Sequence, residues 1–132
     1  MRIDVISVLP ELLESPFNHS ILKRAKEKGL LEINLVHLRD FSTNKHKTVD
    51  DYQYGGGAGM VMMCEPIANC IDHLKSQRNY DEVIYLTPDG VPFSAQLAAE
   101  LSRETHLILL SGHYEGIDQR IRDAVIDQEV SI

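Results

Sequence analysis

The chain alternates short apolar runs with helical patterns, and this alternation constrains its fold more than any other feature. The run His106–Leu110 is almost wholly apolar, which is typical of a central parallel strand buried on both faces. Further strand-like runs lie at Arg2–Val8, Glu32–Leu38, Val83–Leu86 and Asp127–Ile132. Helical patterns separate them, at Ser20–Lys28, Pro66–Gln77, Ser94–Ser102 and Asp118–Ala124. The alternation predicts an α/β fold, a mostly parallel sheet with helices on both faces.

Length and composition set the scale of this fold. The chain has 132 residues, 43% of them apolar and 25% charged, the balance of a globular domain with its own core. No linker or repeat divides it, so residues 1–132 are predicted to form one domain. No apolar run is long enough to cross a membrane, and the N-terminus lacks the pattern of a signal peptide. Two cysteines favour a reducing cytoplasm over a disulfide framework.

Charge is distributed unevenly along the chain. Residues 1–50 hold 8 Lys and Arg against 7 Asp and Glu, and residues 51–132 hold 5 against 13. These two segments carry net charges of +1 and −8, which sum to the net charge of −7. A protein that coats DNA non-specifically would be basic, so that class is disfavoured. Contact with nucleic acid is expected to use the first third of the chain.

The ends of two predicted strands carry polar and glycine-rich loops. Thr87–Gly90, with a predicted turn at Pro88–Gly90, follows one strand, and Ser111–Gly116 follows another. Ligands of open parallel sheets bind outside the carboxyl ends of the strands, so the two loops are expected to share one edge. There Tyr114 offers a ring, Glu115 a carboxylate and His113 a basic tip.

Arg39–Met60 is long, polar and glycine-rich, without a convincing period, and is expected to be a functional loop. Within it, Lys45–Asp51 places cations suited to phosphate before the adjacent carboxylates of Asp50 and Asp51. One member of such a carboxylate pair is a candidate proton acceptor. Tyr54–Met60 follows, and its glycines allow a backbone to approach a base or an anion closely.

Several other classes of site find little support in the sequence. The glycines match neither a dinucleotide fingerprint nor a phosphate loop, and G-x-S-x-G is absent. Cys64, Cys70 and His73 suggest zinc at first sight, but Cys70 shares a buried helical face with Ile67, Ile71 and Leu74. No metal site is therefore predicted.

Three motifs in this order resemble bacterial tRNA (guanine-N1)-methyltransferases over the whole chain. They are Lys45–Asp51 with Tyr54–Met60, Tyr85–Gly90, and Gly112–Asp118. The resemblance implies a SPOUT-class domain with a trefoil knot that binds S-adenosylmethionine, acting as a cytoplasmic homodimer. It implies methylation of N1 of the guanine 3′ of the tRNA anticodon. Magnesium is left open as a second cofactor.

The resemblance also assigns residues. Glu115 and Asp50 are implied to have catalytic roles. The residues implied to contact the methyl donor are Tyr85, Leu86, Thr87, Gly112, Tyr114, Glu115, Gly116 and Ile132. The residues implied to contact the guanine or its RNA are Lys45, His46, Asp50, Gly55, Gly56, Gly57 and Gly59. Two departures are small, Ala58 in place of Pro and Gln119 in place of an acid.

The end of the sequence is the largest departure from the pattern of the family. Glu129–Ile132 enters a strand, whereas family members continue into a loop that closes the knot and then into a helical domain. The main general base and an arginine near the guanine are expected in that continuation. The chain is therefore interpreted as an inactive N-terminal portion with the knot unclosed. Two alternatives remain open, a non-catalytic RNA- or partner-binding module and an unrelated α/β nucleotide-binding enzyme.

Overall fold

A computed structural model of the chain describes residues 1–53 and 55–132. Five parallel strands form the main sheet in the order β2-β1-β6-β5-β7. Their bounds are β1 Arg2–Ser7, β2 Glu32–His37, β5 Glu82–Pro92, β6 His106–Ser111 and β7 Gln128–Ser131. The helices are α1 Glu11–Glu14, α2 Ser20–Glu27, α3 Cys64–Gln77, α4 Ala95–Leu101 and α5 Gln119–Val125, with 3-10 turns at Pro16–Asn18 and Leu38–Phe41. No helix in the described residues is long and apolar enough to span a bilayer.

The two faces of the sheet bury different helices. Alternate side chains of β6 divide between them, because Ile108 and Leu110 join the core on one face and Leu107 joins the core on the other. Helix α3 covers the first face through residues such as Ile67 and Ile71. Helix α4 covers part of the second face through Leu97, and Ser94 Oγ caps this helix by accepting from Leu97 N–H at 3.1 Å. The predicted α/β fold is confirmed.

The segment Arg39–Met60 contains more regular structure than its sequence indicates. Strands β3 Asp50–Tyr52 and β4 Met60–Met62 pair antiparallel as a small separate ribbon, with Asp50 opposite Met62. Runs of three residues are too short to show a strand period, which explains why the sequence predicts a loop here. Val49 and Met62 are fully buried and anchor the ribbon in the core beneath it.

The turn predicted at Pro88–Gly90 is wrong, because these residues lie inside the long strand β5. The pairing of β5 with β7 shifts register between Leu86 and Val91, so the intervening residues form a bulge. Gly90 makes the bulge possible, since a Cβ there would lie 2.5 Å from the Val130 nitrogen. Proline and glycine therefore mark an irregular strand here, and the sequence signal for a bulge resembles that for a turn.

A buried carboxylate organises the amino edge of the sheet. Asp4 on β1 has no exposed surface and accepts two hydrogen bonds from Arg2 at 3.1 Å each. Its oxygens also accept from Asn34 at 2.7 Å and from the Tyr80 hydroxyl at 2.5 Å. Burial acts to raise the pKa of Asp4, but the hydrogen bonds from Arg2, Tyr80 and Asn34 outweigh it and hold that pKa below its ordinary value.

Candidate functional site

The bulge of β5 lies beside the carboxyl end of β6, and together they form the floor of a cavity. The two strands are parallel neighbours, with Tyr85 opposite Leu110 and Leu86 opposite Ser111. Residues of the β5 bulge and of the loop that follows β6 line this cavity, which has a volume of about 450 Å³. Its lining includes seven of the residues predicted to contact the donor: Tyr85, Leu86, Thr87, Gly112, Tyr114, Glu115 and Gly116. The topology thus brings together two motifs that are separated by about 25 residues in the sequence.

Close backbone packing explains the glycine at the start of the second loop. A Cβ at position 112 would lie 2.9 Å from the carbonyl oxygen of Leu86 and 3.4 Å from Cε1 of Tyr85. Gly112 therefore allows the two strand ends to touch. Tyr85 is buried beneath this contact, and burial raises the pKa of its hydroxyl above the ordinary range. The hydroxyl therefore stays protonated at neutral pH.

The β3–β4 ribbon is attached to the second loop by three backbone hydrogen bonds. Glu115 N–H donates to Met60 at 2.8 Å, Met62 N–H donates to Gly116 at 2.8 Å, and Asp118 N–H donates to Met62 at 3.1 Å. This contact places Gly59 directly against Glu115, because a Cβ at position 59 would lie 2.5 Å from Glu115 Cγ. The glycine motif and the second loop therefore form one structure.

The glycine segment itself has the conformations that its sequence leads one to expect. Gly55, Gly56 and Gly59 have φ values of +84°, +81° and +84°, which side-chain-bearing residues rarely adopt. The segment is exposed. Gly57 lies against the side chain of Gln53, whose amide nitrogen donates to the Ala58 carbonyl. Tyr54 of the same motif lies outside the described residues.

The two adjacent aspartates do not form a carboxylate pair. They are consecutive residues of β3, so their side chains project from opposite faces of the ribbon. Asp50 is half-buried, whereas Asp51 is exposed and accepts from the Tyr52 N–H at 2.7 Å. The repulsion expected from their adjacency in the sequence is therefore weak, and any role of Asp50 is its own.

The basic segment is exposed and connected to the cavity through one arginine. Lys45 and His46 lie in a loop closed by Ser42 Oγ, which donates to the Thr48 carbonyl at 2.7 Å. Arg39 donates to the Lys47 carbonyl at 3.3 Å and to the Tyr114 hydroxyl at 3.4 Å. Tyr114 lines the cavity, so Arg39 links the loop that carries Lys45 and His46 to a residue of the cavity wall.

Ile132 is the predicted donor contact that the structure does not bring to this cavity. It is 89% exposed and lines a separate apolar cavity of about 410 Å³ on the opposite face of the sheet, with Ile84 and Leu107. Ile84 and Tyr85 are consecutive strand residues and point to opposite faces, which separates the two cavities. A contact of Ile132 with the donor remains a prediction.

A larger cavity of about 740 Å³ is lined by residues of β3, β4 and the first turns of α3 and α5, and its described lining shares Val61 and Ile117 with the strand-end cavity. It contains none of the residues predicted to contact the donor. We base the assignment on the smaller cavity, because that cavity lies at the carboxyl edge where parallel sheets bind ligands.

Sequence reasoning missed several residues of the strand-end cavity. Val61, from the ribbon, and Asp89, from the bulge, both line it. Arg122 on α5 also lines it, with its guanidinium carbon 5.8 Å from the centre of the Tyr85 ring. Nothing in the local sequence indicates this, because the contact depends on how α5 packs against the sheet.

The cysteines have no described role in the site. Cys70 is fully buried on the inner face of α3, as its helical spacing predicts, and burial raises the pKa of its thiol to about 12. Among residues 1–53 and 55–132, no three His, Cys, Asp or Glu side chains converge in a group that could hold a metal ion.

The fold and the cavity define an α/β protein with an open parallel sheet and a candidate ligand site at its carboxyl edge, lined by glycines and aromatic rings. Comparison with known proteins makes the assignment specific. The family model for tRNA (Guanine-1)-methyltransferase TrmD matches residues 1–132, so the chain belongs to that family.

Individual relatives agree over the whole chain. It is 59% identical to a tRNA (guanine-N(1)-)-methyltransferase of Flavobacterium johnsoniae and 53% identical to one of Desulforamulus reducens. It also resembles the crystal structure of tRNA (m1G37) methyltransferase from Aquifex aeolicus, with 31% identity and a TM-score of 0.91. All of the chain is covered in each comparison, but only 58%, 53% and 59% of these relatives.

Proposed function

We propose that this chain is the donor-binding part of an S-adenosylmethionine-dependent tRNA methyltransferase, acting on N1 of the guanine 3′ of the anticodon. One observation carries the proposal. The bulge of β5, the loop after β6 and Val61 of the β3–β4 ribbon line a single cavity in a chain that belongs throughout to this family. The relatives carry this activity in their names, and S-adenosylmethionine is the methyl donor of the family.

The cavity suits such a donor in size and chemistry. Its volume of about 450 Å³ lies within the range of small-molecule sites. Apolar walls from Val61, Leu86 and Ile117 suit an adenine ring. Asp89 and Glu115 supply negative charge for the ammonium and sulfonium groups. Gly112 lets the loop after β6 approach Leu86 closely, which brings the two walls of the cavity together.

The chain's residues must align two reactants and assist the loss of a proton. The bound donor supplies a methyl group on a sulfonium centre. Guanine N1 carries a proton at neutral pH and becomes a good nucleophile only when that proton leaves. The N1–carbon bond then forms as the carbon–sulfur bond breaks. Alignment of the two reactants within contact distance supplies much of the rate enhancement in such reactions.

Glu115 and Asp50 are the carboxylates of this chain that we assign to the reaction. Glu115 lines the donor cavity and touches Gly59 of the ribbon, so it lies between the proposed donor and guanine positions. Asp50 anchors the ribbon at its other strand. The exposed glycines, Gly55, Gly56, Gly57 and Gly59, leave room for a flat base.

The basic segment supports an RNA substrate. Lys45 and His46 are exposed and suited to phosphate contacts, and Arg39 connects their loop to Tyr114 at the cavity. An RNA held there would present a base to the cavity. We further propose that the enzyme is a cytoplasmic homodimer that can use magnesium as a second cofactor.

The test is transfer of labelled methyl groups to an unmodified tRNA transcript. One transcript carries guanine 3′ of the anticodon and its control carries adenine there. This chain and the full product of its reading frame are assayed in parallel. Transfer by the full product to the guanine transcript alone supports the proposal. Donor binding without transfer by either protein would favour a non-catalytic RNA-binding module. Competition by adenine nucleotides alone would favour an unrelated enzyme.

The variant Glu115→Gln tests the role of the carboxylate. We expect the full product to lose about 100-fold or more in turnover, the lower range for general acid–base assistance, and far less in donor affinity, because Asp89 still supplies negative charge to the donor. Glu100→Gln, an exposed change on α4, is the control and should keep normal turnover. Equal losses of turnover and donor affinity would contradict a role in the transition state.

A further inference from the structure

Arg122 connects three parts of the site through one side chain. Its guanidinium carbon lies 5.8 Å from the centre of the Tyr85 ring, within the range of a cation–π contact. The same guanidinium donates two hydrogen bonds to the Glu129 carboxylate, one of them from Nε at 3.3 Å. Helix α5 is thereby tied to both β5 and β7.

The sheet makes this arrangement specific. Tyr85 and Glu129 are paired residues of the neighbouring strands β5 and β7, so the ring and the carboxylate are fixed side by side. Arg122 spans both. Gly112 contacts the same ring, with a built Cβ 3.4 Å from Tyr85 Cε1. The Tyr85 side chain is therefore held between a glycine of one strand-end loop and a cation of α5.

We propose that Arg122 is a positioning residue, which fixes the Tyr85 ring in the donor cavity and is itself held by Glu129. This inference rests on the proposed function, because it takes the cavity to be the donor site. A short helix of seven residues would not hold an arginine in place by itself. The ion pair with Glu129 is only partly exposed, with 25% and 30% of the two side chains accessible, and supplies that restraint.

The main experiment measures S-adenosylhomocysteine affinity by calorimetry on the full product of the reading frame. Arg122→Met keeps most of the side-chain length and removes the charge. It should weaken binding about fivefold to tenfold, the size expected for a partly desolvated cation–π contact. Glu129→Gln should weaken binding in the same direction but less. Arg103→Met, at an exposed arginine after α4, is the matched control and should bind normally.

A double-mutant cycle separates positioning of Tyr85 from general support of the fold. Arg122→Met should lose its effect when Tyr85 is replaced by Leu, and should keep it when Tyr85 is replaced by Phe, which retains the ring. Ring signals in a carbon-13 tyrosine spectrum provide a second readout. The chain has only five tyrosines, and the Tyr85→Phe spectrum identifies the signal that must move in Arg122→Met.

The outcomes distinguish this inference from the proposed function. Wild-type protein that binds no S-adenosylhomocysteine would overturn the donor site, and the positioning role with it. Wild-type binding with equal affinities for Arg122→Met and Arg103→Met would overturn the positioning role alone. An Arg122→Met effect that persists in the Tyr85→Leu background would likewise overturn it, because the arginine would then act by another route.

Discussion

The buried carboxylate of Asp4 gives the most quantitative prediction, for the variant Asp4→Asn. Four donors converge on its two oxygens: Arg2 Nη2 and Asn34 Nδ2 on Oδ1, and Arg2 Nε and the Tyr80 hydroxyl on Oδ2. Asparagine has one oxygen and one NH2 group, so two of these four donors must face the NH2 group, which is itself a donor. In either orientation one nitrogen of Arg2 faces the NH2 group and loses its hydrogen bond, whereas the Tyr80 hydroxyl or the Asn34 amide keeps its bond only by turning to accept.

The expected loss follows from the number of broken bonds. A hydrogen bond to a charged group contributes about 1.5–3 kcal/mol, so one or two lost bonds cost about 1.5–6 kcal/mol. Breaking one partner of a buried ion pair costs about 3–5 kcal/mol by an independent estimate, which agrees. We expect Asp4→Asn to lower the free energy of unfolding by about 3–5 kcal/mol, measured by urea denaturation at pH 7. The exposed change Asp72→Asn, on α3, should cost less than about 0.5 kcal/mol.

The loss should also depend on pH, with a sign fixed by the lowered pKa of Asp4. A carboxyl whose pKa is lower in the folded state contributes stability that is complete above its unfolded pKa. That contribution disappears as the pH falls through the folded pKa. The difference between wild type and Asp4→Asn should therefore be constant at neutral pH and shrink below about pH 4. A difference under 1 kcal/mol at pH 7, or one unchanged in acid, would refute the argument.

Two further predictions concern glycines. Gly90→Ala should lower the free energy of unfolding by about 3 kcal/mol, because its Cβ meets the Val130 backbone at 2.5 Å and overpacking against backbone cannot relax. Gly29→Ala, with no atom within 4 Å and a φ of +71°, should cost about 1 kcal/mol, and equal losses in thermal unfolding would contradict the contact argument. Gly59→Ala should displace Glu115 and lower methyl transfer more than Gly55→Ala, which has the same φ of +84° but no contact; equal activities would show that the collision is unimportant.

Side-chain patterns predicted the main sheet because its strands bury side chains. The apolar run at His106–Leu110 became the central strand β6, and the helical spacing of Cys70 with Ile71 placed both on the buried face of α3. Each of these predictions depends on which side chains are buried, and the spacing of apolar residues in the sequence indicates this directly. The approach of Thr87 to the loop after β6 followed from the same parallel order, although Thr87 lies in a bulge of β5 and not in a loop.

The parts of the candidate site that the sequence did not reveal are made by backbone. The ribbon meets the second loop through N–H and carbonyl groups of residues such as Met60 and Gly116, which every residue type carries. The sequence therefore indicates this contact only where a side chain must be absent to allow it, as at Gly59. The bulge in β5 is similar, because a glycine at position 90 indicates that another backbone segment packs closely but does not identify that segment.

The two edges of the sheet have different roles, because the amino edge contributes stability and the carboxyl edge carries the site of the proposed function. The amino edge is held by the saturated network around Asp4, whereas the carboxyl edge carries Tyr114 and Lys47 with positive φ values of 57° and 50° and exposed glycines. Strained, exposed backbone is typical of sites where binding determines conformation. Changes at the two edges share no partners, so the unfolding free energies lost in Asp4→Asn and Gly59→Ala should add to within about 0.5 kcal/mol. A larger deviation would show that the edges are coupled through the sheet, and the strain around Tyr114 would then depend on the network at Asp4.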